Sequence, residues 1–375
     1  MYTRIIKPLK NQSFFLFGPR GTGKTTWLRG HFKNSLYLNL LSADVYQSLL
    51  AHPESLETRI PKETTQPIII DEIQKVPALL DEVHRLIQEK NLSFILTGSS
   101  ARKLRKSGVN LLAGRARTLS FFPLTTRELG SDFDLRKSLT FGHLPESYTK
   151  PDPELFLKSY LQTYLREEVQ AEGITRNLAN FARFLESASF SQAQFLNISR
   201  VAEDCHVDRK MVEAYFNILE DLLIAARVPV FEKRAKRRIV SKPKFFFFDC
   251  GVFQSLRPRG PLDSQEEIEG PALETLVWQE LRAMNQYLNW GYNIYTWKTQ
   301  SKAEVDLVLY GQRGLIAIEV KRGSRIRSED LEGLQLFKKD YPQAKCFLLY
   351  LGDKKQIFRD YEAWPAQEFL HNLPL

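Results

Sequence analysis

The stretch "SFFLFGPRGTGKTT", residues 13–26, limits what this 375-residue chain can fold into more than any other. A short apolar run leads straight into a loop containing Gly18, Gly21 and Gly23, and the loop ends on Lys24 and Thr25. Glycines at that spacing let the backbone curl until its N–H groups face a phosphate. The order strand, GxxxxGK[ST], helix is the full pattern of a phosphate-binding loop. An α/β domain is therefore expected at the N-terminus. The nucleotide-contacting residues expected from the loop are Gly18, Pro19, Arg20, Gly21, Thr22, Gly23, Lys24, Thr25 and Thr26. Lys24 is suited to the β and γ phosphates of ATP, and the Thr25 hydroxyl to the shell of a Mg2+ ion.

Two further runs fit the same domain. "PIIIDEIQ" (67–74) is a continuous apolar run closed by two acids, as a buried parallel strand with a polar end should read. Asp71 is placed to hold Mg2+, directly or through water, and Glu72 to polarise an attacking water; the competing reading is an acidic loop after a core strand. "LSFILTGS" (92–99) is another apolar strand, and a polar residue at its end, Ser99, is placed to sense the γ-phosphate. In "LLAGRARTLSFFPLTTREL" (111–129), Arg115 and Arg117 follow a glycine. Either could act on a neighbouring subunit's nucleotide, or simply lie on the surface.

The order "GPRGTGKTT", "IIIDEIQ", "LTGSS", "LAGRARTLSFFPLTTREL", "FGHLPESY" and "YLQTYLREEV" resembles a group of bacterial and archaeal ATPases of the AAA class, whose C-terminal part is catalogued as domain of unknown function 4143. The resemblance covers nearly the whole chain. It implies an AAA-type core, ATP hydrolysis with Mg2+, and a homo-oligomeric, hexameric ring in which Arg115, ahead of Arg117, completes the neighbour's site.

The middle of the chain reads as a helical and winged-helix region, 151–256, after an ATPase domain at 1–150. Val201 and Ala202 fit a short helix, and Asp208 is a natural N-cap for the next. Met211, Val212, Tyr215, Phe216, Leu219 and Leu222 then mark one apolar face, leaving Arg209, Lys210, Glu213 and Asn217 off it. That is the layout of a helix-turn-helix. The runs "AARVPVF" (225–231) and "KFFFFD" (244–249) would form a hairpin. Seven basic residues crowd its tip: Lys233, Arg234, Lys236, Arg237, Arg238, Lys242 and Lys244. With a net charge of +9 and a pI near 9.3, a polyanion is the expected partner, and duplex or branched DNA the expected form. Arg209, Lys210, Lys233, Arg234, Lys236, Arg237 and Arg238 would touch phosphates without reading bases, unless this module packs on a protein instead.

Residues 257–375 are expected to form a third domain, with a linker at 257–270 and a helix at 271–284. Within it, "AEVDLVLYGQRGLIAIEVKRG" (303–323) reads as a hairpin turning at 311–314. Counting back from the turn pairs Leu309 with Ile316, Leu307 with Ile318 and Val305 with Val320 on one face. It sets Asp306 opposite Glu319 and Glu304 opposite Lys321 on the other. Opposed carboxylates repel, which a divalent cation would relieve. The ordinary reading is a Glu304–Lys321 salt bridge. The spacing resembles the core of PD-(D/E)XK nucleases, which implies an α/β restriction-endonuclease-like domain with a Mg2+ held by Asp306 and Glu319 beside Lys321. It also implies an acid from the preceding helix, Glu274 with Glu280 in reserve. The expectation is an ATP-driven DNA-processing ring with a nuclease-like C-terminal domain, or an ATP-dependent switch or scaffold in which that domain only binds DNA or a partner.

Cys205, Cys250 and Cys346 are too far apart for a metal-ligand motif and suit a reducing, cytoplasmic setting. No run approaches the ~18 apolar residues that cross a membrane, and no signal peptide is indicated at the N-terminus.

Overall fold

The computed structural model describes residues 2–9, 12–99, 116–165, 178–261 and 263–375. They form two compact units: Thr3–Pro123 with Asp221–Leu223, and Leu124–Glu220 with Ile224–Leu375.

The first unit is built on a five-stranded sheet of β1 (Ser13–Phe17), β2 (Tyr37–Asn39), β3 (Ile68–Asp71), β4 (Phe94–Gly98) and β5 (Ala116–Ser120), in the order β2-β3-β4-β1-β5. Every pairing is parallel. β1, β3 and β4 are buried along their whole length, which is why their sequences run apolar without alternation. Helices α1 (Lys24–His31), α2 (Ala43–Ala51) and α3 (Leu79–Lys90) accompany the sheet. α3 buries Leu79, Leu80, Val83 and Leu86, the stripe a 3.6-residue period brings to one side. It stops at Asn91, whose left-handed backbone caps it. Because the strands are parallel, the loops leaving β1, β3 and β4 emerge along one edge. β1 has β4 on one side and β5 on the other, so its loop opens at the point where the strand order reverses, where ligands of such sheets bind.

The second unit carries two sheets. In the smaller, β7 (Ala225–Val228) pairs antiparallel with β8 (Lys244–Phe247), and β6 (Gln194–Phe195) adds to the other side of β8. Ahead of this hairpin lie α4 (Ile198–Cys205) and α5 (Arg209–Asp221). They are joined by a turn with His206 at φ 53° and Asp208 accepting from the Lys210 N–H (2.8 Å). Val212, Tyr215, Phe216, Leu219 and Leu222 are buried as expected, but Met211 is 43% exposed and Ile218 completes the face.

The larger sheet has the order β13-β14-β12-β11-β10-β9, built from β9 (Asn293–Lys298), β10 (Glu304–Gly311), β11 (Gly314–Lys321), β12 (Lys345–Tyr350), β13 (Gln356–Ile357) and β14 (Glu362–Pro365). Helix α6 (Gln265–Tyr287) begins six residues earlier than the sequence suggested. Ser264 and Glu267 form a capping box, and Pro271 lies inside the helix rather than near its start. The cap fixes the first turn, which offsets the one backbone hydrogen bond a proline removes. Helix α7 (Glu332–Asp340) connects β11 to its parallel neighbour β12.

Among the described residues, no helix is long and apolar enough to cross a membrane. The three cysteines are buried and free.

Candidate functional site

At the edge of the five-stranded sheet, the loop after β1 takes the shape its glycines allow. Gly21 and Gly23 have φ of 79° and 94°, in the left-handed region. A Cβ at Gly18 would stand 2.2 Å from the Phe121 carbonyl oxygen. Lys24 is buried, and its ammonium donates to the carbonyl oxygens of Gly18 (2.6 Å) and Pro19 (3.0 Å). Thr22 is buried and braces the loop by donating to Pro19 O (2.8 Å), while Arg20, Thr25 and Thr26 are exposed.

Asp71 closes β3 and is buried at 6% exposure. Its Oδ1 accepts from the Thr97 hydroxyl (2.7 Å), and its Oδ2 accepts from the Tyr37 hydroxyl and lies 3.4 Å from Thr25 Oγ1. Burial and the adjacent carboxylate both push the Tyr37 phenol far above its ordinary pKa, so it remains a donor. Glu72 sits in a left-handed conformation at φ 62° and accepts from the Gln74 side-chain amide. That amide also donates to the Ser99 hydroxyl (3.2 Å). Three strands thus bring Lys24, Thr25, Asp71, Glu72 and Ser99 to one edge. These residues fit a nucleotide with Mg2+: the loop offers N–H groups, Thr25 and Asp71 offer adjacent oxygens, and Lys24 holds neutral carbonyls that phosphate oxygens can replace. Tyr37 and Gln74 were missed from sequence. Gln74 had a signal, three residues after Asp71; Tyr37 had none, since it reaches Asp71 only through the β2–β3 pairing. Arg117 is exposed on edge strand β5, and Arg115 lies outside the described residues.

The acid pair on the six-stranded sheet has a different surrounding. The turn and the pairs Leu309↔Ile316 and Leu307↔Ile318 are as expected. Beyond Leu307 the ladder stops. The Val320 N–H donates instead to the Asp306 carboxylate (2.9 Å), and the pairing of β10 with β9 shifts between Val305 and Val308. This bulge moves Val305 into one core with Val308, Leu315 and Ala317, not with Leu307 and Leu309. Bulges re-aim side chains in this way. The expected Glu304–Lys321 contact is replaced: Lys321 pairs with Glu319 (2.7 Å), and Glu304 with Lys298 (2.8 Å).

A residue the sequence reading placed on the basic tip fills the middle of the cluster. Lys244, first residue of β8 and 1% exposed, reaches Glu274 Oε1 (2.6 Å), Glu304 Oε1 (2.9 Å) and Asp306 Oδ1 (2.8 Å). Burial disfavours its charge, but Asp306, Glu274 and Glu304 outweigh that and hold its pKa well above the ordinary lysine range. Burial raises the Asp306 pKa, yet Lys244 pulls it below the ordinary carboxylate range. Glu274 and Glu319 are both raised, by burial first and by Asp306 second. Glu319 Oε2 is buried without a hydrogen-bond partner. The signal for Lys244 was present: a lysine opening an otherwise apolar strand is rarely buried unless paired. Glu280, the reserve acid, lies elsewhere; its Oε2 accepts from the Thr126 N–H (2.9 Å) and hydroxyl (3.3 Å).

Mg2+ needs a near-octahedral shell of oxygens at about 2.0–2.1 Å and keeps several waters. Here the acids converge on an ammonium. Among the described residues no group of three or more His, Cys, Asp or Glu side chains is arranged to hold a metal. The set as it stands does not fit a divalent ion.

The basic residues divide by surroundings. Arg209, Lys210, Lys233, Arg234, Lys236 and Arg238 are exposed. Arg237 is committed to the buried Asp340 (2.7 Å). The chain between β7 and β8 runs along the edge of β9: the Phe231 N–H bonds Thr296 O (2.7 Å) and the Val240 N–H bonds Lys298 O (2.9 Å). On α5, Glu213, Asn217 and Glu220 are gathered by Arg227.

Residues 10–130 match the family model described as AAA domain, so the five-stranded sheet and its loop are an AAA-family P-loop ATPase domain. Residues 132–263 match a domain of unknown function (DUF8612), and residues 269–369 another (DUF4143). The chain is 27% identical over 371 residues to a Mycobacterium tuberculosis protein described as uncharacterized, covering 95% of this chain and 80% of that one. It is 25% identical over 341 residues to an uncharacterized Methanocaldococcus jannaschii protein, covering 82% and 74%. Among solved structures, the Aeropyrum pernix ORC1 protein in complex with DNA aligns over 67% of this chain and 86% of its own, at 15% identity and a TM-score of 0.28.

Proposed function

We propose that the chain is a Mg2+-dependent ATP hydrolase that acts on DNA as a homo-oligomeric ring, and that its nuclease-like C-terminal sheet binds DNA or a partner rather than cutting. The observation that carries the ATPase reading is the meeting of Lys24, Thr25, Asp71, Glu72 and Ser99 at one edge of a parallel sheet. The loop amides and Lys24 hold the phosphates. Bound Mg2+ would neutralise charge on the β and γ oxygens, with Thr25 and Asp71 as its protein ligands. Tyr37 and Thr97 fix the Asp71 carboxylate. Glu72 orients the attacking water, and the Gln74 amide links that carboxylate to Ser99, which faces the γ-phosphate. Arg115 is proposed to reach the neighbour's nucleotide, with Arg117 second.

The DNA reading rests on the net charge of +9 and on the exposed Arg209, Lys210, Lys233, Arg234, Lys236 and Arg238. The nuclease-like assignment of residues 257–375 and the winged-helix assignment of 151–256 rest on the hairpin and helix-turn-helix patterns. Mg2+-dependent cleavage by Asp306, Glu319 and Lys321 is disfavoured by Lys244. The test is phosphate release from ATP with Mg2+, with and without duplex and branched DNA. Wild-type turnover should rise with DNA and vanish in Lys24→Ala; equal release from both proteins refutes the reading. Light scattering with a non-hydrolysable ATP analogue checks the ring, which a strict monomer would exclude.

A further inference from the structure

The acid cluster of the six-stranded sheet carries its own cation. Of the three N–H donors of an ammonium, Lys244 directs hydrogen bonds to Glu304 Oε1 (2.9 Å) and Asp306 Oδ1 (2.8 Å) on β10, and Glu274 Oε1 of α6 stands 2.6 Å away as an ion pair. The remaining charges are also matched: Lys298 lies on Glu304 (2.8 Å) and Lys321 on Glu319 (2.7 Å). Three ammoniums thus stand against four carboxylates, Glu274, Glu304, Asp306 and Glu319. A divalent ion added to this set would make the cluster net positive, and each of its acids already faces an ammonium. Phe195, paired with Lys244 across β6 and β8, places its ring 5.8 Å from the Lys244 ammonium and 4.4 Å from that of Lys298. An aromatic face attracts cations, so it supports both lysines in place.

We infer that Lys244 is a tethered cation occupying the position a divalent ion would take, so that this cluster is a metal-independent lock joining the β6-β8-β7 sheet to the six-stranded sheet. The lock is the reason a nuclease-like arrangement of acids here takes no metal. It also leaves two buried oxygens of the cluster, Glu274 Oε1 and Glu319 Oε2, without a hydrogen-bond partner. Those oxygens become ligands only if the lysine is removed. This inference deepens the reading of the C-terminal sheet as a binding surface and rests on it. DNA affinity tests that reading separately, whereas metal binding tests the lock.

The experiment uses the full chain, free of nucleotide, with Mn2+ as the probe and electron paramagnetic resonance to count bound ions. Folding is monitored by circular dichroism. Wild type, Asp306→Asn and Glu319→Gln should bind the same amount of Mn2+. Lys244→Met should gain one Mn2+ per chain, lost again when combined with Asp306→Asn, and its melting temperature, lowered in chelator, should rise with Mn2+. A wild-type Mn2+ site that either acid variant abolishes overturns the inference. So does a folded Lys244→Met protein that gains no site. If Lys244→Met does not fold, the wild-type comparison with the two acid variants decides alone.

Discussion

Two buried lysines define this molecule, and their partners differ. Lys24 rests on the neutral carbonyl oxygens of Gly18 and Pro19. Lys244 rests on the carboxylates of Glu274, Glu304 and Asp306. An ammonium gains direct Coulomb attraction from a charged acceptor that a neutral carbonyl does not supply. Lys24 can therefore exchange its partners for phosphate oxygens, whose charge exceeds that of a carbonyl. Lys244 has no better partner to move to. The carbonyl contacts of Lys24 are ones that phosphate oxygens can displace, whereas the carboxylate contacts of Lys244 tie it into the fold.

The largest expected effect tests the first half of that contrast. Lys24→Ala should lower ATP turnover by at least about 100-fold, the scale of losing a main electrostatic stabiliser of the transition state. Retention of near-normal phosphate release would make Lys24 a structural lysine like Lys244. The second half is tested by stability. Lys244→Met leaves three carboxylates facing one another and should destabilise its unit by about 3–5 kcal/mol, read by denaturant unfolding. A loss below ~1 kcal/mol would mean water already serves these acids.

Helix α6 offers an internal control. Glu274 meets a lysine, while Glu280 meets only Thr126, with Glu128 and Arg127 near by. Burial pushes the Glu280 pKa up to about 8. The folded state then keeps a proton that the unfolded state releases near pH 4.5. Stability from this group is greatest below pH 4.5 and falls as pH rises towards 8, by up to ~5 kcal/mol. Glu280→Gln should flatten that part of the pH–stability curve, and identical curves would show that Glu280 is ionised when buried. A smaller effect is expected at the phosphate loop: Tyr37→Phe removes one of the three hydroxyls directed at Asp71 and should lower turnover about fivefold, the scale of one hydrogen bond. The smallest concerns DNA. Replacing Lys233, Arg234, Lys236 and Arg238 with Ala should flatten the dependence of log affinity on log salt by up to ~0.9 per lost phosphate contact, measured by fluorescence anisotropy. An unchanged slope would remove this segment from the interface.

What was legible in the sequence was local. The phosphate loop, "IIIDE" and the hairpin turn at 311–314 are short runs whose geometry follows from their own residues, and each took the expected form. The α6 start was misplaced because Pro271 carries a strong local signal that a capping box overrode from outside its window. The register beyond Leu307 was misjudged because a bulge depends on the neighbouring strand β9. The basic tip reads as one solvated loop, yet Arg237 and Lys244 have partners about 100 and 30 to 62 residues away in the chain: the buried Asp340 for the first, and the buried Glu274 and Asp306 with the half-buried Glu304 for the second.

Residues 13–26 and 67–74 alone dictate a phosphate loop at 18–26 and a strand at 68–71 that ends on Asp71 with Glu72 just beyond it, because glycine spacing and apolar runs act over a few residues. The tertiary structure decided which cation the acids of the six-stranded sheet meet. Charge pairing in a buried site is set by which side chains converge in space, and Lys244 reaches Asp306 only because β8 folds back against α6 and β10.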